Sequence, residues 1–165
     1  MPFWLTIVVQ WLHVLCGIFW FGSRFVVTFI LLPAMRRVSQ AKQHDFLGEL
    51  IRHFVRVEPG LGIATLVLGI LRGTLFGEVA SFHIVFGTTY GLTWTLSLTL
   101  GVAIAVLGGR VGSSFIALEA IPVSDDGSSQ AVFARQLGKT ETYSRLSMAL
   151  FLLIFTCMIL MGFGY

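Results

Sequence analysis

The stretch FWLTIVVQWLHVLCGIFWFGS, residues 3–23, contains no Lys, Arg, Asp or Glu and decides the fold class. A helix that crosses the hydrocarbon core of a bilayer needs about 20 predominantly apolar residues. The apolar run resumes after Arg24 and ends near Pro33, so we predict a first helix over about 3–34 that tilts or projects beyond the bilayer. A cleavable signal is not expected, because the start lacks a basic segment and the run is too long.

Three further apolar segments follow, and we predict helices at about 57–77, 83–108 and 144–164. The second is the least regular, since Glu58 and Arg72 leave only thirteen uncharged residues between them. It spans a membrane only if Arg72 extends its side chain to the interface. Pro59 fits either the first turn of this helix or a kink in a longer one that begins near Asp45. Residues 1–165 are therefore expected to form one all-α domain, an integral membrane four-helix bundle.

The overall composition supports a lipid environment. The chain is 56% hydrophobic and 12% charged, with a mean hydropathy of +0.87, whereas soluble domains carry about a quarter charged residues. A lipid bilayer is thus the expected surrounding, and no nucleic-acid partner is expected from the pI of about 9.2, since the basic residues lie in loops between apolar spans. Cys16 and Cys157 both lie inside apolar runs, which does not indicate a disulfide framework.

The loop charges predict the orientation. Basic residues lie between predicted helices 1 and 2 (Arg36, Arg37, Lys42, Arg52, Arg56) and between helices 3 and 4 (Arg110, Arg135, Lys139, Arg145). Between helices 2 and 3 there is only Arg72. Because positively charged loops stay in the cytoplasm, we expect a multi-pass protein of the cell inner (plasma) membrane with both termini extracytoplasmic.

Polar residues of the first helix share one stripe at helical spacing: Gln10, His13, Gly17, Trp20, Arg24 and Thr28. Polar groups in lipid are costly, so this stripe should face the bundle interior. Gly17 leaves a gap one turn from His13, which would admit a flat macrocycle if the imidazole ligated its metal. The alternative for His13 is a hydrogen bond to a neighbouring helix. Arg24, about 16 Å along the axis, would reach an acidic group of such a cofactor or extend to the inner interface.

Other candidate ligands lie on the later helices. His83 is predicted at the outer start of helix 3 and is the likelier second ligand for a metal held by His13. His53 is the reserve, although it belongs to a charged cluster with Arg52, Arg56 and Glu58 at the inner mouth of helix 2. A second set of candidate metal ligands has soft sulfur atoms and consists of Cys157, Met158 and Met161, with Cys16 on helix 1. Thiol and thioether ligands select Cu(I), but these residues are also ordinary apolar filler.

The segment WLHVLCGIFWFG, residues 11–22, resembles the first-helix pattern of the CopD-like (copper resistance D) membrane proteins. Leu32-Pro33 before Arg36-Arg37 resembles the end of that helix, and TTYG at 88–91 resembles a motif of a later one. The first helix is also similar to HemJ-type protoporphyrinogen oxidases and to four-helix b-type cytochromes. The CopD-like and HemJ-type families both tend to have a Lys a few residues after the YG position. This chain has no Lys there, which disfavours a HemJ-type activity.

The resemblance implies haem or metal handling. We therefore expect a protein that binds haem b, with His13 as an axial ligand, and works in membrane electron transfer or haem-linked oxidation. A membrane oxidoreductase activity, a membrane redox partner or quinone, and the oligomeric state are left open. One alternative is a copper-handling or copper-import protein of the CopD type. A further alternative is a structural or assembly subunit without a cofactor.

Overall fold

The computed structural model describes residues 3–38, 40–79, 81–123 and 127–165, except for the side chains of residues 40, 41 and 53. Throughout these ranges the regular structure is helical, with no strand. Four helical segments are long and apolar enough to cross a membrane: Phe3–Met35, Phe54–Thr74, Thr89–Glu119 and Gly127–Gly162. The prediction of an all-α membrane bundle is confirmed.

The first span changes its helical geometry near its C-terminal end. Helix α1 (Phe3–Val26) passes through a π-helical turn (Val27–Leu31) into the short helix α2 (Leu32–Met35). We attribute the wider turn to Pro33, which carries no N–H and whose ring would clash with the carbonyl group four residues earlier. The Leu32 N–H instead bonds to the Val27 carbonyl, five residues back. The span therefore continues without a break.

The second span belongs to a helix longer than the predicted 57–77, which agrees with the alternative of a helix that begins near Asp45 and contains Pro59. Helix α3 runs from Gln40 to Thr74 with Pro59 inside it, whereas the sequence placed the span over 57–77. Its polar first part extends out of the apolar segment that begins at Phe54. Hydropathy detects only the apolar part of a helix. The polar residues before Phe54 therefore gave no sign that α3 begins at Gln40.

The third predicted helix is divided in two. Helix α4 (Phe82–Gly87) ends at Thr88, whose extended backbone (φ −126°, ψ 150°) starts helix α5 (Thr89–Glu119). The Thr88 hydroxyl accepts a hydrogen bond from the Gly91 N–H at 3.0 Å, which caps α5. Gly91 is required here because a Cβ would collide with the backbone of Ile84 and Val85. The predicted helix over 83–108 therefore has a sharp corner near its start and continues to Glu119.

Helix α6 (Gly127–Gly162) is the fourth span, and it also begins earlier than the predicted 144. Helices α1, α3, α5 and α6 pack in chain order, and α6 returns to contact α1, so the four form a closed ring. The end of the ring that is remote from the chain ends is filled by a hydrophobic cluster that includes Leu32, Leu47, Phe115 and Phe133. A second cluster at mid-height contains Trp20, Ile104, Met148, Phe151 and Ile154.

Candidate cofactor cavity and buried ion pair

A cavity of about 400 Å³ lies between the four spans, in the half of the bundle that holds both chain ends. Its volume is within the range of sites for small molecules and cofactors. Apolar and aromatic side chains form most of its wall, including Leu66, Tyr90, Trp94, Leu98, Phe151, Ile154 and Phe155. Five glycines from the four spanning helices also line it: Gly17, Gly69, Gly73, Gly101 and Gly162.

His13 lies on the wall of this cavity, and one of its ring nitrogens already makes a hydrogen bond. Its Nδ1 is 3.0 Å from the carbonyl oxygen of Thr65. A carbonyl group only accepts hydrogen bonds, so Nδ1 carries the hydrogen and donates it. The lone pair is then on Nε2, which bonds to none of the residues that the structure describes. The predicted hydrogen bond from His13 to a neighbouring helix is therefore confirmed, and whether Nε2 binds a metal stays a prediction.

The position of the imidazole depends on two residues of α3 that the sequence did not single out. Thr65 offers its carbonyl group to His13, while its own hydroxyl donates to the Leu61 carbonyl at 2.8 Å. A Cβ at Gly69 would lie 3.0 Å from His13 Cε1, so a larger residue there would crowd the ring.

The structure separates the soft candidate ligands. Met158 and Met161 line the cavity together with His13, as do Gly17 and Trp20. Cys16 and Cys157 are free thiols and are not among the described residues of the cavity wall. Of the copper ligands considered from the sequence, the two methionines are thus the ones that share a site with His13.

The remaining histidines lie elsewhere. His83 is exposed on α4, against Gly87, and does not line the cavity, so the structure does not bring His83 beside His13. The His44 Nε2 is 2.9 Å from the Glu119 carbonyl oxygen at the opposite end of the bundle. The side chain of His53 lies outside the described residues. In the described ranges no group of three or more His, Cys, Asp or Glu side chains has the arrangement of a metal site.

Arg72 is the one formally charged side chain among the described residues of the cavity wall. Its Nε donates to the Gln10 side-chain oxygen at 2.8 Å, and its Nη1 donates to the Phe76 carbonyl at 2.7 Å. Arg72 therefore stands near the end of α3 rather than deep in the bundle, and it gives the cavity a positive edge. An amphipathic ligand with an anionic group would match this arrangement.

Arg24 is not at the cavity but in a buried ion pair with Glu58. Arg24 is fully buried, with its Nε 2.6 Å and its Nη2 2.5 Å from Glu58 Oε1. The Trp20 Nε1 donates to the same oxygen at 2.9 Å. The interpretation of Glu58 as part of a solvated charged cluster is therefore wrong, and Arg24 does not extend to the inner interface. The prediction that the polar stripe faces the interior is confirmed for Arg24, Trp20 and Thr28.

Neighbouring residues leave space for the Arg24 side chain. Its guanidinium lies 5.5 Å from the centre of the Phe54 ring, a favourable position for a cation. Gly108 of α5 faces it, and a Cβ at Gly108 would collide with Arg24 Nη2. The sequence signalled one half of this pair, since Arg24 interrupts an otherwise uncharged run and intramembrane charges tend to pair.

No family model, curated protein or solved structure matches this chain. The function is therefore argued from the cavity, the histidine and the charges around them.

Proposed function

We propose that this protein binds haem b in the cavity, with His13 Nε2 as a ligand of the iron, and that it serves membrane electron transfer or haem-linked oxidation. The observation that carries the proposal is the arrangement of His13. Its Nδ1 is held by the Thr65 carbonyl, its Nε2 has no partner among the described residues, and His13 lines a cavity of about 400 Å³. Metal-ligating histidines almost always donate their second ring N–H to a carbonyl, a carboxylate or water.

The rest of the cavity fits the same group. Haem is flat, largely apolar and bears two carboxylates, and the cavity combines apolar walls and glycines with Arg72 at its edge. Met158 or Met161, which line the same cavity, would help to hold the iron, since a histidine and a methionine together ligate haem iron in cytochromes c. When bound, haem would supply one-electron redox chemistry, tuned by its axial ligands and by burial.

Copper binding is the second candidate, and one observation favours it. His13 and the thioethers of Met158 and Met161 line one cavity, and this combination of imidazole and soft sulfur ligands suits Cu(I). This copper site would not use Cys16 or Cys157, whereas the ligand set considered from the sequence included both. Both proposals make His13 the central ligand.

The haem and copper content of the purified protein distinguishes the haem proposal from the copper proposal. We expect a preparation from membranes to be red, with a strong Soret band and haem in proportion to protein. Copper found by elemental analysis without a Soret band would favour the second proposal. A colourless, metal-free protein that also fails to take up added haem would contradict both and leave a structural subunit.

We also propose that the protein lies in the cell inner (plasma) membrane with both termini and the cavity on the extracytoplasmic side. The support is that basic residues of the opposite end are exposed, among them Arg37, Lys42, Arg110, Arg135 and Lys139, and such residues stay in the cytoplasm. Alkaline phosphatase fused after Tyr165 should be active, while the same reporter fused after Ile121 should be inactive. Activity in the reverse pattern would contradict this orientation.

A further inference from the structure

A second cavity, of about 300 Å³, lies between α3 and α5 beside the buried ion pair. Pro59, Ile63, Gly109 and Ile116 line it and are exposed. Since α3 and α5 cross the apolar zone here, this groove opens towards lipid. We call it the Glu58 groove. The Trp20 indole lines both this groove and the His13 cavity, so it forms part of the wall between them.

Within the described ranges, only one of the two oxygens of the Glu58 carboxylate has hydrogen-bond donors. Arg24 Nε, Arg24 Nη2 and Trp20 Nε1 all approach Oε1. No donor among the described residues reaches Oε2, although the Glu58 side chain is only 8% exposed and lines the groove. A carboxylate oxygen that has no partner and is largely shielded from water is costly. A hydrogen-bond donor in the groove would remove that cost.

The charges and the remaining groups restrict what that donor is. Arg24 already neutralises Glu58, so a second cation is not required. Among the residues that line the groove, the Ser113 hydroxyl already donates to the Gly109 carbonyl at 2.9 Å. The Arg24 Nη1 has no hydrogen-bond partner in the described part of the chain, but it is completely buried and does not line the groove, so the described lining offers no free donor to an anion. The matching ligand is therefore neutral and brings its own donor.

The walls of the groove suggest a ring rather than a simple chain. Trp20 and Phe54 supply aromatic surface, and aromatic rings attract one another in stacked or edge-to-face arrangements. Gly109 has no atom within 4 Å of the position that a Cβ would occupy, so a flat group has room beside α5. Gly112 leaves similar room, since a Cβ there would come no closer than 4.0 Å to Val55.

We propose that the Glu58 groove binds a neutral phenolic amphiphile from the bilayer, with the phenol hydroxyl donating to Glu58 Oε2. The ring lies beside Trp20 and Phe54, and the apolar tail leaves between α3 and α5 into the lipid. This site is distinct from the His13 cavity and does not depend on the metal bound there.

The test uses two matched ligands and two matched variants. 4-Nonylphenol and its methyl ether, 4-nonylanisole, are titrated calorimetrically into the full-length protein in nanodiscs, with protein-free nanodiscs subtracted. The phenol should bind at least about tenfold more tightly than the ether, because only the phenol donates to the charged oxygen. Gly109→Leu fills the groove without touching the ion pair and should abolish binding. Gly60→Leu adds the same side chain to an open position outside both cavities and should preserve it.

Three results would overturn the proposal. The first is a phenol that does not bind above the nanodisc background. The second is equal affinity for phenol and ether, which would indicate apolar partition without a hydrogen bond. The third is unchanged binding to Gly109→Leu, confirmed as monodisperse, which would place the ligand elsewhere on the protein.

Discussion

Replacing Arg24 by Met should destabilise the bundle by about 3–5 kcal/mol, because it leaves the Glu58 carboxylate buried without its counter-charge. Arg24 is fully buried and Glu58 nearly so, and their contacts join α1 to α3. The Trp20 N–H alone would then bond to the carboxylate. The expected loss is measured as the free energy of unfolding in a mixed-micelle titration with denaturing detergent.

Two further variants make this prediction specific to a buried charge. Arg24→Met combined with Glu58→Gln removes both charges and should recover a substantial part of the lost stability, since removing a whole pair costs less than breaking it. Arg36→Met breaks the pair with Glu141, in which the Arg36 side chain is 55% exposed. It should cost no more than about 1 kcal/mol. An Arg24→Met variant as stable as Arg36→Met would contradict the account of the ion pair.

The fold was largely predictable because the sequence carries its strongest signal in the apolar runs. A long run without charges in a chain of this composition has few alternatives to a membrane helix. The positions at which the helices begin and end were harder to predict. Polar segments such as 40–53 and 127–143 continue α3 and α6 outside the apolar zone, and hydropathy does not distinguish a polar helix from a loop.

The site was predictable within one helix and much less so between helices. Helical spacing identified the interior stripe of α1 because azimuth follows from residue number. The partners across the interface, Thr65 for His13 and Glu58 for Arg24, depend on the rotation and depth of α3. These are set by packing that a single sequence does not specify.

His83 illustrates the same limit. Its predicted position beside His13 relied on similar depth in a continuous helix over 83–108. The corner at Thr88 places His83 on the separate helix α4 instead. The thioethers of Met158 and Met161 line the His13 cavity in its place, although on sequence evidence they were as well explained by apolar packing.

The most direct test of the central claim is the haem content of the His13→Ala variant. Removing the imidazole takes away Nε2, the cavity nitrogen assigned to the iron, so the purified variant should lose its Soret band and nearly all its haem. His44→Ala is the matched control, because His44 lies at the other end of the bundle and bonds to the Glu119 carbonyl. It should retain haem in full. A monodisperse His13→Ala protein with the haem content and spectrum of the parent would contradict the assignment of His13 and of the cavity.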